Sequence, residues 1–164
     1  MSVQKAAKFS EDRIYRYSLH RGWDNWEVGR TLMVIGLNPS TADENEDDPT
    51  IRRCIAFAKQ WGMQNLIMTN LFAFRSTDPK GLLSVEDPIG KENDKELLYW
   101  GQERADLILV AWGAHSTVDK RAEEVLKLIR GPFCLGYTKK GHPRHPLYVP
   151  SKTEPIPFIP GGIK

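Results

Sequence analysis

Four short apolar runs, each bounded by Gly, Pro or Asn, punctuate the chain: Thr31 to Leu37, Leu66 to Thr69, Asp106 to Trp112 and Phe133 to Leu135. Apolar runs of about 4 to 8 residues without polar alternation suit strands covered on both faces of a sheet. Between them the spacing becomes helical. Ile51, Cys54, Ile55 and Ala58 fall at i, i+3, i+4 and i+7, with Asp48 as N-cap, Pro49 at the first helical position and Gly62 beyond the end. Val118, Ala122, Val125, Leu126 and Ile129 repeat the pattern, closed by Gly131-Pro132. A weaker helical pattern runs from about Lys91 to Ala105 and carries Leu97, Leu98 and Trp100. Strands alternating with helices predict an α/β fold, a three-layer α/β/α sandwich around a central four-stranded parallel sheet.

Upstream, Tyr15, Tyr17 and Leu19 alternate with Arg16, Ser18 and His20 and then meet Arg21-Gly22-Trp23-Asp24. This predicts an added edge strand or hairpin, accessory to the core. Residues 151–164 are rich in Pro and Gly and read as an extended tail. The 164 residues are one domain's worth of chain, with no internal repeat.

Charge changes the picture only through its distribution. The balance of 23 basic against 21 acidic residues, a net of +2, does not argue for nucleic acid or an anionic membrane. From Val125 to Thr153, however, there is no acidic residue, while Lys127, Arg130, Lys139, Lys140, Arg144 and Lys152 supply six cations. Tyr137 and Tyr148 interleave that strip, which suits phosphate neutralisation with aromatic stacking on bases; a solvated surface loop is the alternative. Two cysteines, Cys54 and Cys134, on apolar faces, read as core residues of a reduced protein. No apolar run marks a signal peptide or a membrane span, so the expectation is a cytoplasmic protein with no membrane partner.

In parallel sheets ligands bind beyond the carboxyl ends of the strands. The segments just beyond the four runs are polar or glycine-rich: Gly36-Leu37-Asn38-Pro39-Ser40, Asn70 to Arg75, Gly113-Ala114-His115-Ser116, and Gly136 to Pro150. Asn38 and Asn70 offer amides, donor and acceptor together, to the edge of a planar heterocycle. Asn38 reads equally as a turn opener, and for Asn70 a strand-end cap is the preferred reading on local grounds. The five carboxylates Asp43, Glu44, Glu46, Asp47 and Asp48 suggest either a divalent-metal site or an acidic lead into the helix at Pro49, and the second reading is preferred. His142-Pro143-Arg144-His145-Pro146 sets two imidazoles beside stiffening prolines, with no zinc pattern.

Taken in order, these strand ends resemble the motifs of the uracil-DNA glycosylase superfamily. GLNPS is similar to the Gly-x-Asn-Pro form of its water-activating motif, LIMTNLFAFR to the strand whose Asn reads the pyrimidine edge, LILVAWGAHS to the Trp-Gly strand end, and GHPRHPLY to the loop that enters the minor groove. The resemblance implies that Asn38 positions the attacking water and that His142 hydrogen-bonds the base oxygen as negative charge develops, with His145 the alternative histidine for that place. It further implies that Asn70 reads an extruded base and Leu147 fills the vacated stack. Gly36, Leu37, Pro39, Ser40, Phe72 and His115 complete the implied base- or nucleotide-binding set, and Lys139, Lys140, Arg144, His145 and Tyr148 join Leu147 in the nucleic-acid-binding one. No Tyr comes after GLNPS, which implies tolerance of thymine or 5-modified pyrimidines. Two cysteines cannot ligate the iron–sulfur cluster of some branches, and no cofactor or metal is expected. RYSLHRGW with GLNPSTAD also resembles a bacterial and phage family known only as a domain of unknown function.

The sequence therefore leads to N-glycosidic hydrolysis of a pyrimidine in DNA or in a nucleotide, with no obligate protein partner. The alternative is a nucleic-acid or nucleotide binder of the same fold with weak or no turnover. Metal-dependent phosphoester hydrolysis through the acidic run ranks last.

Overall fold

Each of the four apolar runs becomes a strand. In the computed structural model, which describes residues 3–115 and 118–161, the strands are β1 (Gln4–Phe9), β2 (Arg16–Gly22), β3 (Thr31–Gly36), β4 (Asn65–Asn70), β5 (Leu107–Val110), β6 (Phe133–Cys134) and β7 (Ile156–Pro157). They form one sheet in the order β1-β2-β4-β3-β5-β6-β7. Every residue of β3 and β4 is buried, as expected of strands covered on both faces.

The four expected strands lie side by side and parallel at the centre, but the sheet is larger than expected: three more strands extend it through antiparallel pairings, so the whole is seven-stranded and mixed. The pairings β3 with β4, β3 with β5 and β5 with β6 are parallel; β1 with β2, β2 with β4 and β6 with β7 are antiparallel. The segment expected to be accessory is structural. β2 sits between β1 and β4 in the register Leu19↔Met68 to Gly22↔Asn65, and nearly all of it is buried. Its alternating pattern reads as half-exposed because the polar positions are Arg16, Ser18, His20 and Arg21. The tail is extended as expected, and its Ile156–Pro157 pairs with β6.

Two apolar clusters lie on the two faces of the sheet. Leu32, Val34 and Leu109 face Ile51, Cys54 and Phe57 of helix α1 (Pro49–Gln60). Met33, Ile35 and Ile108 alternate with them and face Leu97 of α2 (Asn93–Tyr99) and Ala122 and Val125 of α3 (Asp119–Leu126). α1 follows its sequence signals: Asp48 caps it by accepting from Ile51 N at 2.9 Å, and Pro49 opens it. The weaker helical pattern divides into α2 and a π-helical turn, Trp100–Arg104. A side chain at Gly101 would come within 2.5 Å of Ile129, so this turn lies close against the chain beyond α3. Among the described residues, no helix is long and apolar enough to cross a membrane.

Candidate functional site

The carboxyl ends of β3, β4 and β5 open into a cavity of about 640 Å³. That volume falls within the range of small-molecule sites. Its apolar wall is Ile51, Met68, Ala111 and Trp112. Residues 36–40 line it where β3 ends, Asn70 where β4 ends and His115 beyond β5; Arg144, His145, Leu147 and Tyr148 come from the last loop. Four segments distant in sequence thus meet because parallel strands end on the same side.

Asn70 is 2% exposed and its Nδ2 has no hydrogen-bond partner. Its Oδ1 lies where a side chain on Gly36 would be, 2.9 Å from that position, so the glycine makes room for the amide across the neighbouring strand end. The Asn70 backbone carbonyl accepts from Asn93 Nδ2 at 3.1 Å, which ties the strand end to α2. A buried N–H without an acceptor is costly, and here it borders a cavity. Asn38 differs. Its Nδ2 donates to Ser76 O at 2.8 Å and Pro39 O at 3.2 Å, so its amide has only the oxygen left to offer a ligand.

His145 caps the short 3₁₀ turn Pro146–Tyr148, its Nδ1 accepting from Leu147 N at 3.1 Å. In the neutral ring the proton therefore sits on Nε2. Burial, and then the neighbouring His115, hold this imidazole below its ordinary value of 6.5, against a smaller opposing pull from Asp48. His115 is shifted the same way, by burial and by His142. The site thus contains neutral imidazole near pH 7, a hydrogen-bond donor rather than a charge.

His142 is placed elsewhere. It does not line the cavity, and its Nε2 lies 2.9 Å from Asp119 Oδ1 at the start of α3. Phe72 is also outside: its side chain is buried in the cluster with Met33 and Leu97, and its N–H donates to Leu37 O at 3.0 Å. Lys139 and Lys140 are exposed on a turn closed by Thr138 N to His142 O at 2.8 Å, away from the cavity lining. The basic strip divides further, since Arg130 donates to the carbonyls of Gln102 and Ala105. Ser116 lies outside the described residues.

Two charged lining residues lie outside the strand-end segments that the sequence marks for ligand binding. Asp48 is the one carboxylate among the described residues that line the cavity, and Arg16 lines it from the start of β2. Asp48 is marked in the sequence as a helix cap and as the last carboxylate of the acidic run, not as a partner of the strand-end residues. The rest of the acidic run has structural work: Asp43 accepts from Asn45 N and Glu46 N at 2.8 Å each, Glu44 pairs with Arg13 at 3.1 Å, and Asp47 with Arg21 at 2.7 Å. Among the described residues no group of three or more His, Cys, Asp or Glu is placed to hold a metal ion. Cys54 and Cys134 are buried free thiols, and burial pushes that of Cys54 up to about 12.

No curated protein and no solved structure matches the chain. The model of the family described as Protein of unknown function (DUF1643) matches residues 16–147, from the first residue of β2 into the last loop of the cavity, and with most of its length covered the chain belongs to that family.

Proposed function

We propose that the cavity binds a pyrimidine base and that the protein hydrolyses its N-glycosidic bond, in DNA or in a nucleotide. The observation that carries this reading is the buried, unpartnered Asn70 Nδ2 at the end of β4. A pyrimidine carbonyl supplies the acceptor it lacks, and Trp112 and Met68 supply apolar surface for the ring. His145, not His142, is the histidine for the base oxygen, because it lines the cavity with its proton left on Nε2.

In the reaction a water oxygen bonds to the sugar C1′ as the C1′–N1 bond breaks, and the bonding pair leaves with the base. Asn70 Nδ2–H and His145 Nε2–H donate to the carbonyl oxygens on which that charge collects; they cost no reorganisation because the fold already holds them. Asn38 Oδ1 accepts one hydrogen of the water. An amide cannot take the proton, so Asp48 takes it and passes it to the departed base. The exposed Arg144, Leu147 and Tyr148 surround the mouth, where a polynucleotide strand or the rest of a nucleotide would lie.

One observation favours a binding protein without turnover: both amide hydrogens of Asn38 are occupied by backbone carbonyls, as in a purely structural turn. Base release separates the two readings. The substrates are single- and double-stranded oligonucleotides and free nucleotides carrying uracil, thymine or 5-modified pyrimidines, and the variants are Asn70→Ala and His145→Gln. The expected result is release by the wild type, lowered about 100-fold or more by either change. Binding of the same substrates with no release would leave the binder; neither binding nor release would overturn the pyrimidine reading.

A further inference from the structure

Three arginines are buried among the described residues: Arg16, Arg21 and Arg121. Two of them are saturated. Arg21 donates through Nε to Asp47 at 2.7 Å, through Nη1 to His20 O and through Nη2 to the carbonyls of Asp43 and Glu46. Arg121 donates to Leu71 O at 2.8 Å and forms ion pairs with Asp94 and Glu124. Arg16 is 2% exposed, yet it makes one side-chain hydrogen bond, Nη1 to Ala42 O at 3.0 Å, and no ion pair with a described carboxylate. Its Nε is buried and unpartnered. It is also the buried arginine that lines the cavity. A guanidinium held out of water without a counter-ion is expensive for the fold, so an unmatched one at a cavity marks a place where an anion completes it.

We propose that Arg16 forms an anion subsite inside the cavity and binds the phosphate of a nucleotide. The bond to Ala42 O anchors the guanidinium beside the segment that carries Ser40, and Ser40 and Thr50 line the same cavity. A planar fork with a free Nε–H suits a phosphate oxygen. The charges acting on Arg16 are Asp48 and Asp43 on one side and Arg75 and Arg21 on the other, so it keeps a cation's character; burial lowers its pKa only to about 10. Asp48 is the one anion sharing the cavity, and its Oδ1 is engaged by Ile51 N at the start of α1. The inference rests on the pyrimidine reading only for what carries the phosphate; the subsite itself stands on Arg16.

The test is the dissociation constant, at fixed ionic strength, of deoxyuridine, its 5′-monophosphate, inorganic phosphate and a short single-stranded oligonucleotide containing deoxyuridine. Each is measured on the wild type, Arg16→Lys and Arg16→Gln. On the wild type the monophosphate is expected to bind about 10- to 100-fold tighter than the nucleoside, the effect of one charge-assisted hydrogen-bonded pair. Arg16→Gln is expected to abolish that gain while leaving nucleoside affinity unchanged, and Arg16→Lys to retain part of it. If the oligonucleotide instead carries the Arg16-dependent gain, the phosphate is that of a diester and the subsite stands. Equal binding of nucleoside, monophosphate and oligonucleotide by the wild type overturns the proposal without needing a folded variant, and leaves the pyrimidine reading intact. Arg16-dependent binding of inorganic phosphate with no nucleoside binding does the reverse: it keeps the subsite and overturns the pyrimidine.

Discussion

The two ends of β2 carry the same residue type at the same burial and put it to opposite uses. At one end Arg21 is enclosed by the loop of residues 43–47, which supplies it a carboxylate and two carbonyls. At the other end Arg16, equally inaccessible, receives one carbonyl and keeps an unused Nε–H. Arg21 fastens the acidic loop to the sheet. Arg16 is left incomplete by the fold and faces the cavity. The difference teaches that burial of a charge says little about its role until its partners are counted: a saturated ion is architecture, an unsaturated one at a cavity is an invitation to a ligand.

The largest effect expected from breaking this contrast is at Arg21. Arg21→Met strands Asp47 and the carbonyls it served, and should cost about 3 kcal/mol or more in urea unfolding, as for other broken buried pairs. Arg16→Met removes a charge that was never matched, and its stability should stay within about 1 kcal/mol of the wild type while phosphate recognition disappears. Equal losses for the two variants would break the comparison. Asp48→Asn sharpens it next. Asn caps a helix about as well as Asp, so stability should change by only a few tenths of a kcal/mol. Base release should nevertheless fall about 100-fold or more, because the proton acceptor is gone. If release is unchanged, Asp48 is a cap and nothing else.

The smallest expected effect is in pH. His145 and His115 have folded-state values below the ordinary 6.5, so the fold favours their neutral forms. Their contribution to stability is then complete above about 6.5 and is lost as pH falls through the folded values. Protonation of His145 at Nδ1 also removes the acceptor for Leu147 N, so the loss should be concentrated at the rim turn Pro146–Tyr148. Thermal midpoints taken between about pH 7.5 and about pH 5 should fall less steeply for His145→Gln than for the wild type. Parallel curves would show that the turn does not depend on this imidazole.

The strands that end at the cavity were legible because their signal is local. TLMVIG and NLIMTN have no polar alternation that an exposed face would need, and Asp48-Pro49 marks the start of α1 within two residues. Asn38 and Asn70 could be singled out for the same reason, standing at strand ends where an α/β sheet binds ligands. β1 was not legible: QKAAKF contains two lysines and no alternation of apolar residues, and it becomes a strand by pairing with β2 from Gln4↔Gly22 onward. Nor was the sheet's mixed character, since an antiparallel neighbour for β4 comes from a segment some 45 positions earlier in the register His20↔Ile67.

The site divides along the same line. Local pattern was enough to establish which segments end in polar, glycine-rich turns, which helix begins with a capped proline, and that the cysteines belong to apolar faces. Long-range packing alone chose His145 over His142 for the cavity, sent Phe72 into the core, and put Arg16 and Asp48 into one chamber. The reason is that hydrophobic periodicity records whether a residue is covered, which depends on its own neighbourhood in sequence. Whether a covered charge finds a partner depends on what the rest of the chain brings to it. For Arg16 the chain brings one carbonyl, and leaves the remainder to a ligand.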